Sequence, residues 1–174
     1  KTELNYINLT YQTYSQKEYH IPLSYQLFGK DLFTAPVILI NHALTGNSNV
    51  SGDKGWWKQL VGENQIIDTD QYTVLCFNIP GNGYDDFLIE DYEDFTPSDI
   101  ASIFLKGLEA LHIKNVYAII GGSLGGGIAW EMLAKQPDLA EIFIPIACDY
   151  RTHDWLHAQC LVQKFLLNDK LQKH

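Results

Sequence analysis

Gly121-Gly122-Ser123-Leu124-Gly125 follows the apolar run Val116-Tyr117-Ala118-Ile119-Ile120 and leads into Gly126-Gly127-Ile128-Ala129-Trp130-Glu131-Met132-Leu133-Ala134-Lys135. A Gly-x-Ser-x-Gly pattern between a buried strand and a helix reads as a nucleophile elbow. The strand-to-helix turn is sharp, and glycines two before and two after Ser123 remove side chains that would collide there. Ser123 is then held out of the sheet at a helix N-terminus. The next amide, that of Leu124, points where an oxyanion could form, and the helix dipole favours negative charge at that place. The competing reading is a glycine-rich helix start that Ser123 merely caps, and five residues do not separate the two.

Outward from the elbow, the chain alternates strands and helices. Upstream, Val37-Ile38-Leu39-Ile40 and Tyr72–Phe77 read as strands buried on both faces. Downstream, Glu141–Ala147 reads as another buried-type strand, apolar on both faces and left as an exposed edge if no further strand follows, and Thr152–Leu167 as a helix carrying Trp155, Leu156, Cys160, Val162 and Phe165. Thr96-Pro97-Ser98-Asp99 opens a helix, with Thr96 as cap and Pro97 in the first turn. Ile100, Ile103, Phe104, Leu108 and Leu111 then recur at helical spacing. Gly55–Leu60 reads as a short helix, and the acidic, aromatic Tyr84–Phe95 as a loop. At the start, Asn5–Tyr14 and Ile21–Phe28 alternate with period two and form an antiparallel hairpin at a sheet edge. Together these give an α/β class: a mostly parallel sheet, covered on both faces, with an N-terminal antiparallel hairpin. In such sheets the site lies at the carboxyl ends of the strands, so the informative loops follow Ile40, Phe77, Ile120 and Ala147.

The totals bound the function. The 174 residues read as one domain, residues 1–174, and 46% apolar residues suffice for a core. A formal charge of −9 argues against nucleic acid or an anionic membrane as the main partner. No apolar run approaches a membrane span, and Lys1–Asn5 lacks a signal-peptide core. Cys76, Cys148 and Cys160 show no metal-ligand spacing; each sits in an apolar segment and reads as a buried free thiol, so a reducing cytoplasm is the expected compartment.

Acyl transfer through serine needs a nucleophile, an oxyanion hole, a base and an acid that orients the base. Ser123 is the candidate nucleophile and the Leu124 amide the first oxyanion donor. The second should come from the loop after the first buried parallel strand, His42-Ala43-Leu44-Thr45-Gly46, where Leu44 is chosen over its neighbour Ala43. The base is harder to find among the 6 histidines. His20 and His112 lie away from the relevant strand ends, and His174 is terminal. His42 is near the site but begins the oxyanion loop, which favours a structural hydrogen bond. His153 and His157 follow the last strand and fit a helix surface equally well. Asp149 could orient a histidine or simply precede the next helix. Arg151, the sole arginine, could bind a substrate carboxylate or phosphate, or pair with Asp149 or Asp154 at the surface.

Several stretches in order resemble the homoserine O-acetyltransferase family of the α/β-hydrolase fold. They are His42-Ala43-Leu44-Thr45-Gly46-Asn47, Gly55-Trp56-Trp57, Ile67-Asp68-Thr69-Asp70-Gln71-Tyr72, Cys76-Phe77-Asn78-Ile79-Pro80-Gly81-Asn82 and Gly121–Gly126. The resemblance implies transfer of acetyl from acetyl-CoA, a co-substrate rather than a resident cofactor, to the hydroxyl of homoserine in methionine biosynthesis. It implies Ser123 as the acylated residue and Leu44 and Leu124 as oxyanion donors. A cytoplasmic homodimer is the expected full-length enzyme. Leu124 stands where the family usually has Met, and Tyr84–Phe95 is shorter than the family's usual loop. The family takes its triad acid and histidine from strands beyond the sixth. The chain accordingly looks like the N-terminal, nucleophile-bearing half of a longer enzyme, expected to be inactive alone. A carboxylic-ester hydrolase is the alternative, and a fragment with only a binding or structural role is the third reading.

Overall fold

The computed structural model describes residues 3–171. Of the residues singled out above, His174 lies outside that range. The first two strands, β1 (Asn5–Gln12) and β2 (Glu18–Gly29), form the expected antiparallel hairpin, with Asn5 opposite Tyr25 and Gln12 opposite Glu18. β3 (Val37–Asn41) follows, then two short strands, β4 (Val61–Gly62) and β5 (Ile67–Asp68), which pair only with each other. β6 (Thr73–Phe77), helix α1 (Pro97–Ala110), β7 (Val116–Gly122), α2 (Leu124–Lys135), β8 (Ala140–Ile146) and α3 (Asp154–Leu171) complete the described chain. The main sheet has six strands in the order β1-β2-β6-β3-β7-β8. The β1–β2 and β2–β6 pairings are antiparallel and the rest are parallel. This is the α/β-type sheet with an antiparallel N-terminal hairpin.

Period-two alternation sorts the apolar strands onto two cores. Leu39, Leu75, Phe77 and Ile119 face α1 and α2, where they meet Ile103, Phe104, Leu108, Ile128 and Met132. Ile38, Ile40, Val74, Cys76 and Ile120 face the other way, against Val50, Val61 and Ile67 of the β3–β6 connection. Each large side chain buried this way stabilises the fold by about 1.5–3 kcal/mol. α1 starts as its sequence dictates. Thr96 accepts from the Asp99 amide while the Asp99 carboxylate accepts from the Thr96 amide, and the Tyr11 hydroxyl donates to the same carboxylate at 2.9 Å.

Two expectations fail, each for a tertiary reason. Gly55–Leu60 is a chain of turns rather than a helix. The Lys58 and Leu60 amides donate three residues back, to Gly55 and Trp57, while the amides of Trp56 and Trp57 donate to the carbonyls of Asn49 and Val50 and tie the segment to the loop after β3. β8 is the sheet edge, as expected where no further strand follows it, and Ile142, Ile144 and Ile146 are 38%, 42% and 40% exposed. Of the cysteines only Cys76 is buried; Cys148 is half-buried, and Cys160 is exposed on α3 together with Trp155, Leu161, Val162 and Phe165.

An edge strand with three bare isoleucines beside a helix with bare aromatics is a template for pairing. Purified residues 1–174 are therefore expected to self-associate in sedimentation velocity, with a weight-average mass that rises with concentration. Ile144→Lys should lower that tendency. A monodisperse monomer at all concentrations would contradict the prediction.

Candidate active site

β3 lies between β6 and β7, and its connection leaves toward β6 while that of β7 leaves toward β8. The two connections diverge, which opens a crevice at the carboxyl ends of β3 and β7. Ser123 sits there, between β7 and α2. Its φ is +50° and ψ −118°, a region that non-glycine residues adopt only when the surroundings impose it. Its amide donates to the Ile146 carbonyl at 2.9 Å, and its carbonyl accepts from the amides of Gly126 and Gly127. The hydroxyl makes no capping bond to α2, so the cap reading of this serine fails. The side chain is exposed.

Glycine is required on both sides of it. A Cβ on Gly121 would lie 2.4 Å from the Gly125 carbonyl oxygen, and one on Gly125 would lie 2.1 Å from the Asn41 carbonyl oxygen and 2.6 Å from that of His42. The first turn of α2 therefore packs backbone-to-backbone on the end of β3. The loop holding Leu44 begins there, one residue beyond His42, with a turn closed by Gly46 N–H to the Ala43 carbonyl. The Leu44 side chain is exposed.

His42 is not placed to act as the base. It is 1% exposed. Its Nε2 accepts from the Ile79 amide at 3.0 Å, and Nδ1 lies 2.7 Å from the Ala43 carbonyl. Only the neutral tautomer with the proton on Nδ1 satisfies both bonds. Burial holds this imidazole below its ordinary 6.5. The unfolded chain thus binds a proton here that the folded chain resists, so stability rises with pH through the window below 6.5 and is fully present above it. Chemical denaturation as the pH is lowered beneath that value should show a loss with a limiting slope of about 1.4 kcal/mol per pH unit from this group. His42→Gln, compared with the parent chain, should flatten that part of the profile; an unchanged profile would refute the assignment.

The remaining titratable candidates sort differently. The Asp149 carboxylate lies 2.6 Å from His153 Nε2 and accepts from the Tyr150 amide, which holds it below the ordinary carboxylate range. Both side chains are exposed, and no hydrogen bond among the described residues joins either to Ser123. His157 lies on exposed α3. Arg151 is exposed, with its guanidinium carbon 5.9 Å from the Tyr150 ring centre, and it makes no ion pair with Asp149 or Asp154. Cys148 Sγ fills the space over Gly126 that a Cβ would occupy, which fastens the chain after β8 to the start of α2.

A polar cluster beside the crevice escaped the sequence reading. Asn78, at the end of β6, is 1% exposed and bonded to Ser24 and Ser48. The Trp56 indole donates to the Asn47 carbonyl at 2.9 Å, so the Gly-Trp-Trp segment also ties down the loop after β3. The signal was faint: polar Ser24 and Gln26 alternate with Leu23, Tyr25 and Leu27 in a strand whose second face looked solvated but is buried.

Residues 36–142 match the family described as the alpha/beta hydrolase fold. This chain belongs to that family. Homoserine O-acetyltransferase of Pelagibacter ubique (strain HTCC1062) is 33% identical over 129 residues, covering 64% of this chain and 35% of the relative. The crystal structure of homoserine o-acetyltransferase from Staphylococcus aureus aligns with a TM-score of 0.76 at 27% identity, over 89% of this chain and 49% of that one. An esterase crystal structure aligns with a TM-score of 0.72 at 25% identity, over 83% of this chain and 47% of that one. The chain thus spans between a third and a half of these relatives. The resemblance to homoserine O-acetyltransferases holds in both sequence and structure. In an alpha/beta hydrolase fold, Ser123 and its flanking glycines stand at the strand-to-helix turn that carries the nucleophile.

Proposed function

We propose that this chain supplies the nucleophile and oxyanion hole of a serine acyltransferase acting on acetyl-CoA and homoserine. The observation that carries the reading is the strained, exposed Ser123, uncapped at the head of α2, whose next turn packs through Gly125 on Asn41 and His42, where the chain enters the loop that holds Leu44. Its hydroxyl oxygen attacks the thioester carbonyl, and the hydroxyl proton passes to a general base. Negative charge develops on the carbonyl oxygen, where the amides of Leu124 and Leu44 donate. Collapse expels the CoA thiolate, which takes up a proton, and leaves acetyl-Ser123. The homoserine hydroxyl then attacks that ester, gives up its proton to the same base, and releases O-acetylhomoserine with a free serine.

The base is assigned to a histidine beyond the described sheet, as the family resemblance implies, because both nitrogens of His42 are already engaged. The same resemblance supports a place in methionine biosynthesis, a cytoplasmic location and a homodimer for the whole protein. Arg151 remains a candidate for binding an anionic substrate group, since its side chain is exposed and forms no ion pair within 4 Å among the described residues.

An esterase with water as acceptor shares the first half-reaction, and the esterase structure favours keeping it as the second reading. Thiol release from acetyl-CoA by the whole protein, with and without homoserine, separates them. Release that depends on homoserine is the expected result. Equal release without it, or turnover of simple esters only, would overturn the transferase reading.

A further inference from the structure

The Asn78 carboxamide uses every hydrogen-bonding valence it has. Nδ2 donates to Ser24 Oγ at 2.8 Å and to Ser48 Oγ at 3.0 Å. Oδ1 accepts from the Ser48 amide at 2.7 Å and from Asn82 Nδ2 at 3.3 Å. Two donors and two lone pairs are all filled, which fixes the orientation of the amide group. The hydroxyls that accept from it pass the chain onward: Ser24 donates to the Asp85 carboxylate and Ser48 to the side-chain Oε1 of Gln26. Asp85 also accepts from the Phe87 amide.

Three elements meet at this one side chain. Ser24 belongs to β2, Asn78 ends β6, and Ser48 lies in the loop after β3 that carries Leu44. Asp85 brings in the acidic loop. Next to Asn78, the Ile79 amide holds the His42 ring at the start of the same loop, and Asn82 Nδ2 lies 3.5 Å from the Gly46 carbonyl. The loop with Leu44 is therefore gripped at both ends by the chain that leaves β6. The grip at Ser48 is a bond to its backbone amide, so it sets the path of the main chain and not merely a side-chain rotamer.

We propose that Asn78 is a positioning residue that sets the Leu44 amide for the oxyanion by clamping the loop 42–48 to the end of β6. This rests on the acyl-transfer reading of Ser123. A loop shift of about 1 Å at an oxyanion donor costs on the order of 100-fold in rate while leaving ground-state binding nearly untouched. Removal of the carboxamide should therefore slow acylation without weakening the binding of the acyl donor.

The test uses the whole protein in four forms: parent, Asn78→Ala, Asn78→Asp and Ser48→Ala. Acetylation of Ser123 by acetyl-CoA is followed by mass spectrometry, and binding of a non-acylating thioether analogue of acetyl-CoA by calorimetry. Asn78→Ala should acylate about 100-fold more slowly with analogue affinity within about twofold of the parent. Ser48→Ala keeps the backbone amide on Asn78 Oδ1 and should stay within a few-fold of the parent. Asn78→Asp keeps the acceptor for Ser48 but, when ionised, loses both donors and sets a second negative charge near Asp85. Protonation restores one donor, so its rate relative to the parent should rise as the pH falls.

Parent-like acylation by Asn78→Ala overturns the proposal. So does a loss of rate matched by an equal loss of analogue affinity, which would make Asn78 a general support of the site. If Asn78→Ala does not fold, Asn78→Asp decides, and a ratio to the parent that is flat with pH overturns the proposal. A parent protein that is never acetylated on Ser123 fails the acyl-transfer reading itself, and the assignment of Asn78 falls with it.

Discussion

Ser123→Ala in the whole protein is expected to abolish acetylation by acetyl-CoA and to cut acetyl transfer by about 10⁴-fold or more. Loss of the nucleophile removes the covalent path altogether. The residual rate is what the oxyanion amides and substrate binding provide for direct attack, and effects within such a unit are not additive. The fold should survive. The Ser123 side chain is exposed and caps nothing, and its backbone bonds to Ile146, Gly126 and Gly127 do not involve the hydroxyl. The positive φ makes alanine no worse than serine there, since both carry a Cβ. Melting temperature and circular dichroism should therefore match the parent. Acetyl label that persists in the variant, or that maps to Cys148 two residues past the end of β8, would remove Ser123 from the mechanism.

Gly125→Ala is expected to destabilise the chain by about 3 kcal/mol or more, a large part of the 5–15 kcal/mol that holds an ordinary domain together. The new Cβ would stand 2.1 Å from the Asn41 carbonyl oxygen and 2.6 Å from that of His42. Both are backbone atoms at the end of a central strand, so neither can swing aside as a side-chain tip would. The helix must retreat from β3 or the strand end must bend. Either movement also shifts the loop holding Leu44 against Ser123, so whatever folds should acylate slowly. Two neighbouring glycines serve as controls. A Cβ on Gly122 or Gly127 meets nothing within 4 Å. Gly127→Ala lies inside α2 and should stabilise it by roughly 0.5–1 kcal/mol through helix propensity. Denaturant midpoints for the three variants decide the matter, and a Gly125→Ala chain as stable as Gly122→Ala would refute the close approach of α2 to β3.

The sequence by itself determined the class of the fold and the place of the strand-to-helix elbow at Ser123. Val37–Ile40 is apolar at every position and Val74–Phe77 likewise, which a sheet covered on both faces satisfies. Thr96, Pro97 and Asp99 encode the start of α1 within four consecutive residues, and the glycine pair around Ser123 encodes the elbow within five. These are short-range signals, governed by backbone sterics and by bonds that close within one turn. Tertiary structure decided the rest. Gly55–Leu60 folds as turns tied to the loop after β3 through the Asn49 and Val50 carbonyls, a pairing its own residues do not announce. What covers β8 is likewise a tertiary matter, because hydrophobicity says that a strand seeks cover and not which element provides it. His42 could have been a base by type and position. One long-range partner, the Ile79 amide, and one neighbour, the Ala43 carbonyl, commit its nitrogens instead. Asn78 lies in one of the stretches that carry the family resemblance, but nothing local marks its role. Its importance arises where β2, β6 and the loop after β3 meet, and the spacing from Ser24 to Ser48 to Asn78 has no local signature because only the strand order β2-β6-β3 brings the three together.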